Sequence, residues 1–344
     1  MSAGESALPR GGLGQRLAKL RWGGEDGAAA LCLAVLLLLP VMTSGYVIFI
    51  LPQYMLYGLL AMSLCLLWGF AGIISFGQAA FFALGGYAMG LLMKQSGLPI
   101  NPAYIGMLLG PVIGGLVALV IGYFLFSAGV RSTYFVLATL ALSIIVEQLA
   151  KSQGDITGGW NGLFVNRMSL TLGDSVNINL FPDAPMYYFV LTLCTIAYIL
   201  VAWLMRGKFG KVIIGIRENE DRVAALGFNI SIYKTLAFGL SGMLAGFAGA
   251  LYSTHAGFIE PSIAGVLFST EVVVWVAIGG RNSLLGAFLG GIIVASLSNY
   301  LNAVTPLYWQ LIIGAIFIVF IVMFRNGLAG MVEGAVARVA NWRP

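Results

Sequence analysis

The chain has 344 residues, 60% of them hydrophobic and only 9% charged, against about 45–50% and about 25% in soluble domains. No soluble core absorbs that surplus of apolar side chains, so lipid must be the solvent for much of the surface. Net charge is +5, and in such a chain the placement of the cations says more than their sum.

Residues 1–27 are Gly-rich and polar, with Arg10, Arg16, Lys19 and Arg21, and read as a poorly ordered tail. Their basic character ahead of the run from Ala28 imitates a signal peptide, but the leader is long and uncleaved anchoring fits it better. Ten runs then approach the roughly 20 residues a helix needs to cross a bilayer: 28–43, 46–68, 72–93, 103–127, 133–151, 186–205, 234–255, 265–280, 284–303 and 308–324. The predicted fold is an all-α, polytopic transmembrane bundle of about ten spans over residues 28–328, closed by a tail at 329–344.

If the N-terminus is cytoplasmic, ten crossings place both tails and the second, fourth, sixth and eighth loops inside. All 18 Lys and Arg then fall inside except Lys94, Lys151 and Arg167, as the positive-inside rule requires. The two longest connections are residues 152–185, outside, and 206–233, inside. Cys32, Cys65 and Cys194 lie within apolar runs and lack metal-ligand spacing, so they read as small core residues. The 46 glycines include pairs four apart, Gly86 and Gly90, Gly110 and Gly114, Gly242 and Gly246, Gly286 and Gly290, which suit close helix packing in lipid.

Polar residues within spans mark candidate path residues. The third span opens "GIISFGQAAFFALGG", where Ser75 and Gln78 offer neutral hydrogen bonding beside Phe76, Phe81 and Phe82. In the fifth, Thr139, Ser143 and Glu147 share one face at i, i+4 spacing, a stripe that suits either a lined pathway or interhelical hydrogen bonding. The eighth, "GVLFSTEVVVWVAIGG", is short and holds Glu271 one turn before Trp275; it reads as broken or as buried among other helices. His255, the one histidine, reads as a structural residue at the outer mouth. No catalytic, cofactor-binding or metal-ligating constellation is predicted, and nothing suggests nucleic acid.

Between the sixth and seventh spans a charged island interrupts this pattern. In "GIRENEDRVAALG", Asn219 suits an N-cap, Glu220 and Asp221 a first turn, and Gly227 a C-terminal stop. The helix between them has about two turns, roughly 10 Å, too short to span. Its apolar side, Val223 and Leu226, is available to the bundle or to a partner. Basic residues alone would satisfy topology; a capped helix of mixed charge does more.

The stretch "GKFGKVIIGIRENEDRVAALGFNISIYKTLAFGLSGMLAGFAGALY" resembles the coupling-helix segment of permease subunits in ATP-driven (ABC) importers of the branched-chain amino acid and urea, or hydrophobic amino acid and amide, group. "LWGFAGIISFGQAAFFALGGYAMG", "TYFVLATLALSIIVEQLAK", "TGGWNGL" and "EVVVWVAIGGRNSLLGAFLG" extend the likeness, in the family's order, over residues 54–328. The resemblance implies a type II-like permease in a bacterial cytoplasmic membrane. Its coupling helix is carried over to Arg217, Glu218, Asn219, Glu220, Asp221, Arg222, Val223, Ala224, Ala225, Leu226 and Gly227. It also implies a second homologous permease subunit, an external substrate-binding protein and two cytoplasmic ATP-binding subunits. This chain has no Walker A pattern, so ATP and Mg belong to those partners and the chain itself is not an enzyme. Urea or a short amide is the expected cargo, a branched-chain amino acid the alternative, and an ion-coupled secondary transporter the competing class.

Overall fold

A computed structural model describes residues 12–43, 45–94, 101–130, 132–172, 176–180 and 182–323. The tail at 329–344 lies outside the described residues. Helix α1, Gly12–Met42, forms a unit of its own. It begins well ahead of residue 28, so much of the stretch expected to be a disordered tail is helical.

The second unit holds the remaining elements. Helix α2 is Tyr46–Cys65 and runs on through a π-helical turn at Leu66–Ala71. The helices α3 (Gln78–Lys94), α4 (Pro102–Ser127) and α5 (Ser132–Ser152) follow. The connection after them carries α6 (Gly154–Thr157), a 3-10 turn at Gly159–Asn161, β1 (Leu163–Phe164), β2 (Ser169–Leu172) and β3 (Val176–Asn179). Next come α7 (Asp183–Arg206), α8 (Lys208–Glu218), α9 (Glu220–Ala225) and α10 (Ile230–Ala256). After β4 (Phe258–Ile259) and a 3-10 turn at Pro261–Ala264, the chain ends in α11 (Val266–Gly279), α12 (Leu284–Val304) and α13 (Trp309–Met323). β2 pairs with β3, and β1 with β4, both antiparallel.

Among the described residues six helices are long and apolar enough to cross a membrane: Tyr46–Ala71, Pro102–Ser127, Thr133–Ser152, Asp183–Arg206, Ile230–Ala256 and Leu284–Val304. α10 packs against α4, α3 and α2, and α12 against α2 and α11. Glycine makes these approaches possible. A Cβ at Gly114 would meet the Gly242 carbonyl, one at Gly246 the Gly110 carbonyl, and one at Gly279 the Gly286 carbonyl. Large apolar side chains such as Leu108, Phe124, Leu137 and Trp203 point outward, the pattern of a bundle whose solvent is lipid.

The third span departs from expectation. Residues 72–77 are not helical, and α3 begins only at Gln78. Gly72 takes a left-handed φ of 73°, which stops the preceding turn and lets the chain reverse. α3 is left with 17 residues, about 25 Å, short of the roughly 30 Å hydrocarbon core. The 14 residues of α11 are shorter still, yet that helix is continuous, not broken.

Candidate functional site

Irregular backbone within a span is tolerated only where protein satisfies its polar groups, and here the fifth-span stripe does so. Thr139 Oγ1 accepts from the Phe76 N–H at 3.1 Å, and Ser143 Oγ donates to the Phe76 carbonyl at 2.7 Å. Ser143 also meets Ser269 Oγ of α11 at 3.1 Å. Ser75 Oγ accepts from the Gly77 N–H at 3.1 Å, turning the chain into α3. Thr139 and Ser143, both fully buried, thus bond the irregular segment, and Ser143 also joins α5 to α11.

Gln78 is likewise committed. Its amide donates to Ser241 Oγ at 2.9 Å and accepts from Ser63 Oγ at 3.0 Å, while Ser241 donates to the Ser63 carbonyl at 2.7 Å. The knot ties α2, α3 and α10 together at one level. Sequence pattern missed Ser63 and Ser241, since a lone serine in an apolar helix carries no periodic signal.

Glu147 sits apart from the rest of the stripe. Its carboxylate pairs with Lys151 at 2.6 Å, and its other oxygen lies against Gly265, the residue preceding α11. Lys151 in turn lies 4.5 Å over the Trp160 ring. His255 is buried against Phe49, ring centroids 5.7 Å apart, as a structural histidine would be.

A five-ring cluster joins α2, α3, α10 and α11. Tyr57 stacks on Trp275 at 5.1 Å and on Tyr252 at 5.5 Å, and meets Phe268 edge-on at 5.5 Å. Phe82 closes the group against Tyr252 at 5.2 Å and Phe268 at 5.7 Å. Gln53 Nε2 donates to the Tyr57 hydroxyl at 2.9 Å. Trp275 is fully buried here, whereas Glu271 is half-buried, within electrostatic reach of Tyr57. Among the described residues Glu271 makes no hydrogen bond or ion pair. Tyr57, Tyr252 and Phe268 were not legible as a group, because nothing in their spacing brings three separate helices to one point.

The charged island folds as its capping residues dictate. Asn219 Oδ1 accepts from the Arg222 N–H at 2.9 Å, and Glu220 and Asp221 fill the first turn of α9. Gly227, at φ 87°, ends it: Gly227 N bonds Ala224 O and Phe228 N bonds Val223 O, the paired bonds of a Schellman stop. Val223 is buried at 8% exposure, but Leu226 is 72% exposed, so the expected apolar side is split between the bundle and the outside. Glu218, Asn219, Glu220, Asp221, Arg222, Ala224 and Ala225 are all exposed.

An unexpected helix precedes the island. α8 buries Gly210, Ile213 and Ile216 along one face, and Arg217 and Glu218 belong to it and not to α9. Lys234 of α10 pairs with Glu220 at 2.6 Å, and Tyr233 stacks on Phe209 at 5.9 Å while meeting Phe228 edge-on. α8, α9 and the start of α10 therefore make one braced elbow at the end of the bundle where Ser127 meets Ser231 at 3.5 Å.

Residues 46–321 match the family described as "Branched-chain amino acid transport system / permease component". The high-affinity branched-chain amino acid transport system permease protein LivM of Escherichia coli (strain K12) is 27% identical over 318 residues, covering 85% of this chain and 72% of that protein. A probable branched-chain amino acid transport permease protein LivM of Methanocaldococcus jannaschii is 26% identical, over 70% of this chain and 77% of its own length. The xylose transport system permease protein XylH of E. coli is 30% identical over 44% of this chain and 41% of that protein. None of these three is named for urea or an amide. No solved structure matches the chain.

Proposed function

The chain belongs to the branched-chain amino acid transport system permease family, as a permease component of an ABC importer, and on that premise we propose that it carries a small hydrophobic amino acid inward across the cytoplasmic membrane. The observation that supports this cargo is Glu271: a carboxylate within a span, without a bonded partner among the described residues, beside Tyr57 and a wall of aromatic rings. Such a group recognises an ammonium, and the rings recognise an apolar side chain. The names of the relatives point the same way. Urea or a short amide is supported only by the sequence blocks "FFALGGYAMG" and "WVAIGGRNSLLGA". The neutral groups that would have suited it, Ser75 and Gln78, are engaged in bonds within the bundle.

The working complex is this subunit, a second homologous permease, two cytoplasmic ATPases and an external receptor. Both tails face the cytoplasm in this reading. ATP and Mg act in the ATPase subunits; α9 presents its exposed charges and Leu226 to a groove on one of them. The receptor delivers the solute to the opposite end, near Lys151 and Trp160.

The test is uptake into liposomes carrying the reconstituted complex, with labelled leucine, urea and xylose offered in turn. Leucine uptake that requires ATP and survives a protonophore is the expected result. Urea as the transported solute would overturn the cargo, and uptake driven by an ion gradient without ATP would overturn the importer mechanism.

A further inference from the structure

The island looks outward, and Arg217 at the end of α8 is itself exposed, yet its head group and stem lie against the bundle. Its guanidinium donates to the Gly69 carbonyl in the π-helical turn and reaches Asn282 Oδ1 at 3.5 Å. Its stem covers Gly72, where an added Cβ would lie 2.8 Å from Arg217 Cγ. Nearby, Cys65 Sγ lies 3.3 Å from the Arg281 carbonyl and 3.6 Å from that of Ser283. Three segments thus meet at one side chain: the end of α8, the turn that leads into the unwound residues 72–77, and the 280–283 loop between α11 and α12.

Two physical routes lead away from this node, and both end on α11. One follows residues 72–77 to Phe76, whose carbonyl is held by Ser143, itself bonded to Ser269. The other passes through Asn282 directly to the end of α11 at Gly279. α11 carries Glu271 and Trp275. A planar guanidinium can hold two acceptors at a fixed angle, and charge-assisted bonds are stiffer and stronger than neutral ones. Energetic coupling between distant sites needs such a chain of packed, bonded elements.

We propose that Arg217 is the transmission residue of this permease: movement of the α8–α9 elbow is passed by its guanidinium to the π-helical turn and the 280–283 loop, and through them to α11. It is a positioning residue and not a contact for the ATPase: its head group is bonded to the bundle, which distinguishes it from Asp221 and Ala225 of α9. The proposal rests on the reading that an ATPase engages α9. The competing route is direct, through α7 and α10, which continue from α8 and α9 along the chain.

The experiment compares wild type, Arg217→Ala, Arg217→Lys and Asn282→Ala in the full reconstituted complex, scoring ATPase co-purification and solute taken up per ATP hydrolysed. A wild-type complex that binds no ATPase defeats the importer reading itself, before any variant is compared. With a coupled wild type, Arg217→Ala should retain the ATPases while uptake per ATP falls about tenfold, the size expected for a lost charge-assisted bond. Arg217→Lys, keeping a cationic donor group and the stem over Gly72 but not the planar guanidinium, should recover part of the loss, and Asn282→Ala should fall between. Loss of ATPase binding in step with uptake in Arg217→Ala would make it a docking contact and overturn the proposal. Wild-type coupling in that variant would give the motion to α7 and α10 and overturn it equally. If Arg217→Ala does not assemble, Arg217→Lys and Asn282→Ala decide: reduced uptake per ATP in an intact complex upholds the proposal, and unchanged coupling or failed assembly in both overturns it.

Discussion

Ser143 holds the backbone of Phe76, its hydroxyl 2.7 Å from the Phe76 carbonyl. With Thr139 on the N–H side, one face of α5 closes both polar groups of a residue that no helix satisfies. Removing either partner leaves a part-buried backbone group unpaired. Interhelical bonds in membranes average about 0.6 kcal/mol and reach about 2, so Ser143→Ala and Thr139→Val should each lower the melting temperature in detergent, and the double variant more. Transport should fall further than stability, because residues 72–77 lose their fixed path. Unchanged melting and uptake in the double variant would show that these bonds are incidental.

Glu271 tests the cargo. Glu271→Gln keeps size and hydrogen bonding but removes charge; Glu271→Leu removes both. For a zwitterionic solute both should cut uptake about tenfold or more, since losing a charged partner costs about 1.5–3 kcal/mol, while assembly stays intact. A neutral solute would instead tolerate Glu271→Gln. Equal, wild-type uptake by both variants would take Glu271 out of the path.

How far these residues were legible in the sequence depended on the range of the interaction. The apolar runs, the Asn219 cap and the Gly227 stop are local and read directly. The pairs Gly110 and Gly114, and Gly242 and Gly246, announced a close seam, and they face each other between α4 and α10. The unwound stretch was misread as helix, because "GIISFGQ" is as apolar as its surroundings and its bonds come from Thr139 and Ser143, far along the chain. α8 went unseen because its buried residues, Gly210, Ile213 and Ile216, are few and set among lysines. Tyr57, Tyr252 and Phe268 meet only through tertiary packing, which no periodicity encodes.

Glu147, whose stripe suits either a lined pathway or interhelical hydrogen bonding, sits in a partly buried ion pair with Lys151, side chains 21% and 18% exposed. Such a pair is worth about 1 kcal/mol or less after screening. It also fixes Lys151 over Trp160 and places a carboxylate at the start of α11, where the helix dipole favours it. Glu147→Leu should therefore leave the complex assembled, lower its melting point slightly and impair uptake, with Glu147→Gln intermediate. Full uptake in Glu147→Leu would reduce the pair to a helix-end contact; loss of the folded complex would make it structural.

The island itself is tested by changes that leave its braces alone. Glu220 is tied to Lys234 at 2.6 Å, so reversing it would set two cations together and loosen α9 from α10 as well as altering the outer surface. Asp221 and Ala225 are exposed and make no bond to the bundle among the described residues. Asp221→Lys opposes the helix dipole and any basic surface that faces it, and Ala225→Arg adds bulk where a short helix would enter a groove. Both variants should reach the membrane and keep the melting point of the wild type, because Asn219 still caps α9 and Val223 still anchors it. Co-purification with the ATPases should fall about tenfold or more, and ATP hydrolysis should no longer respond to solute. Glu220→Gln serves as the control for the Lys234 brace, with a smaller loss than either. If Asp221→Lys and Ala225→Arg both bind the ATPases as the wild type does and transport normally, α9 is a solvated turn, and the docking role proposed for it falls.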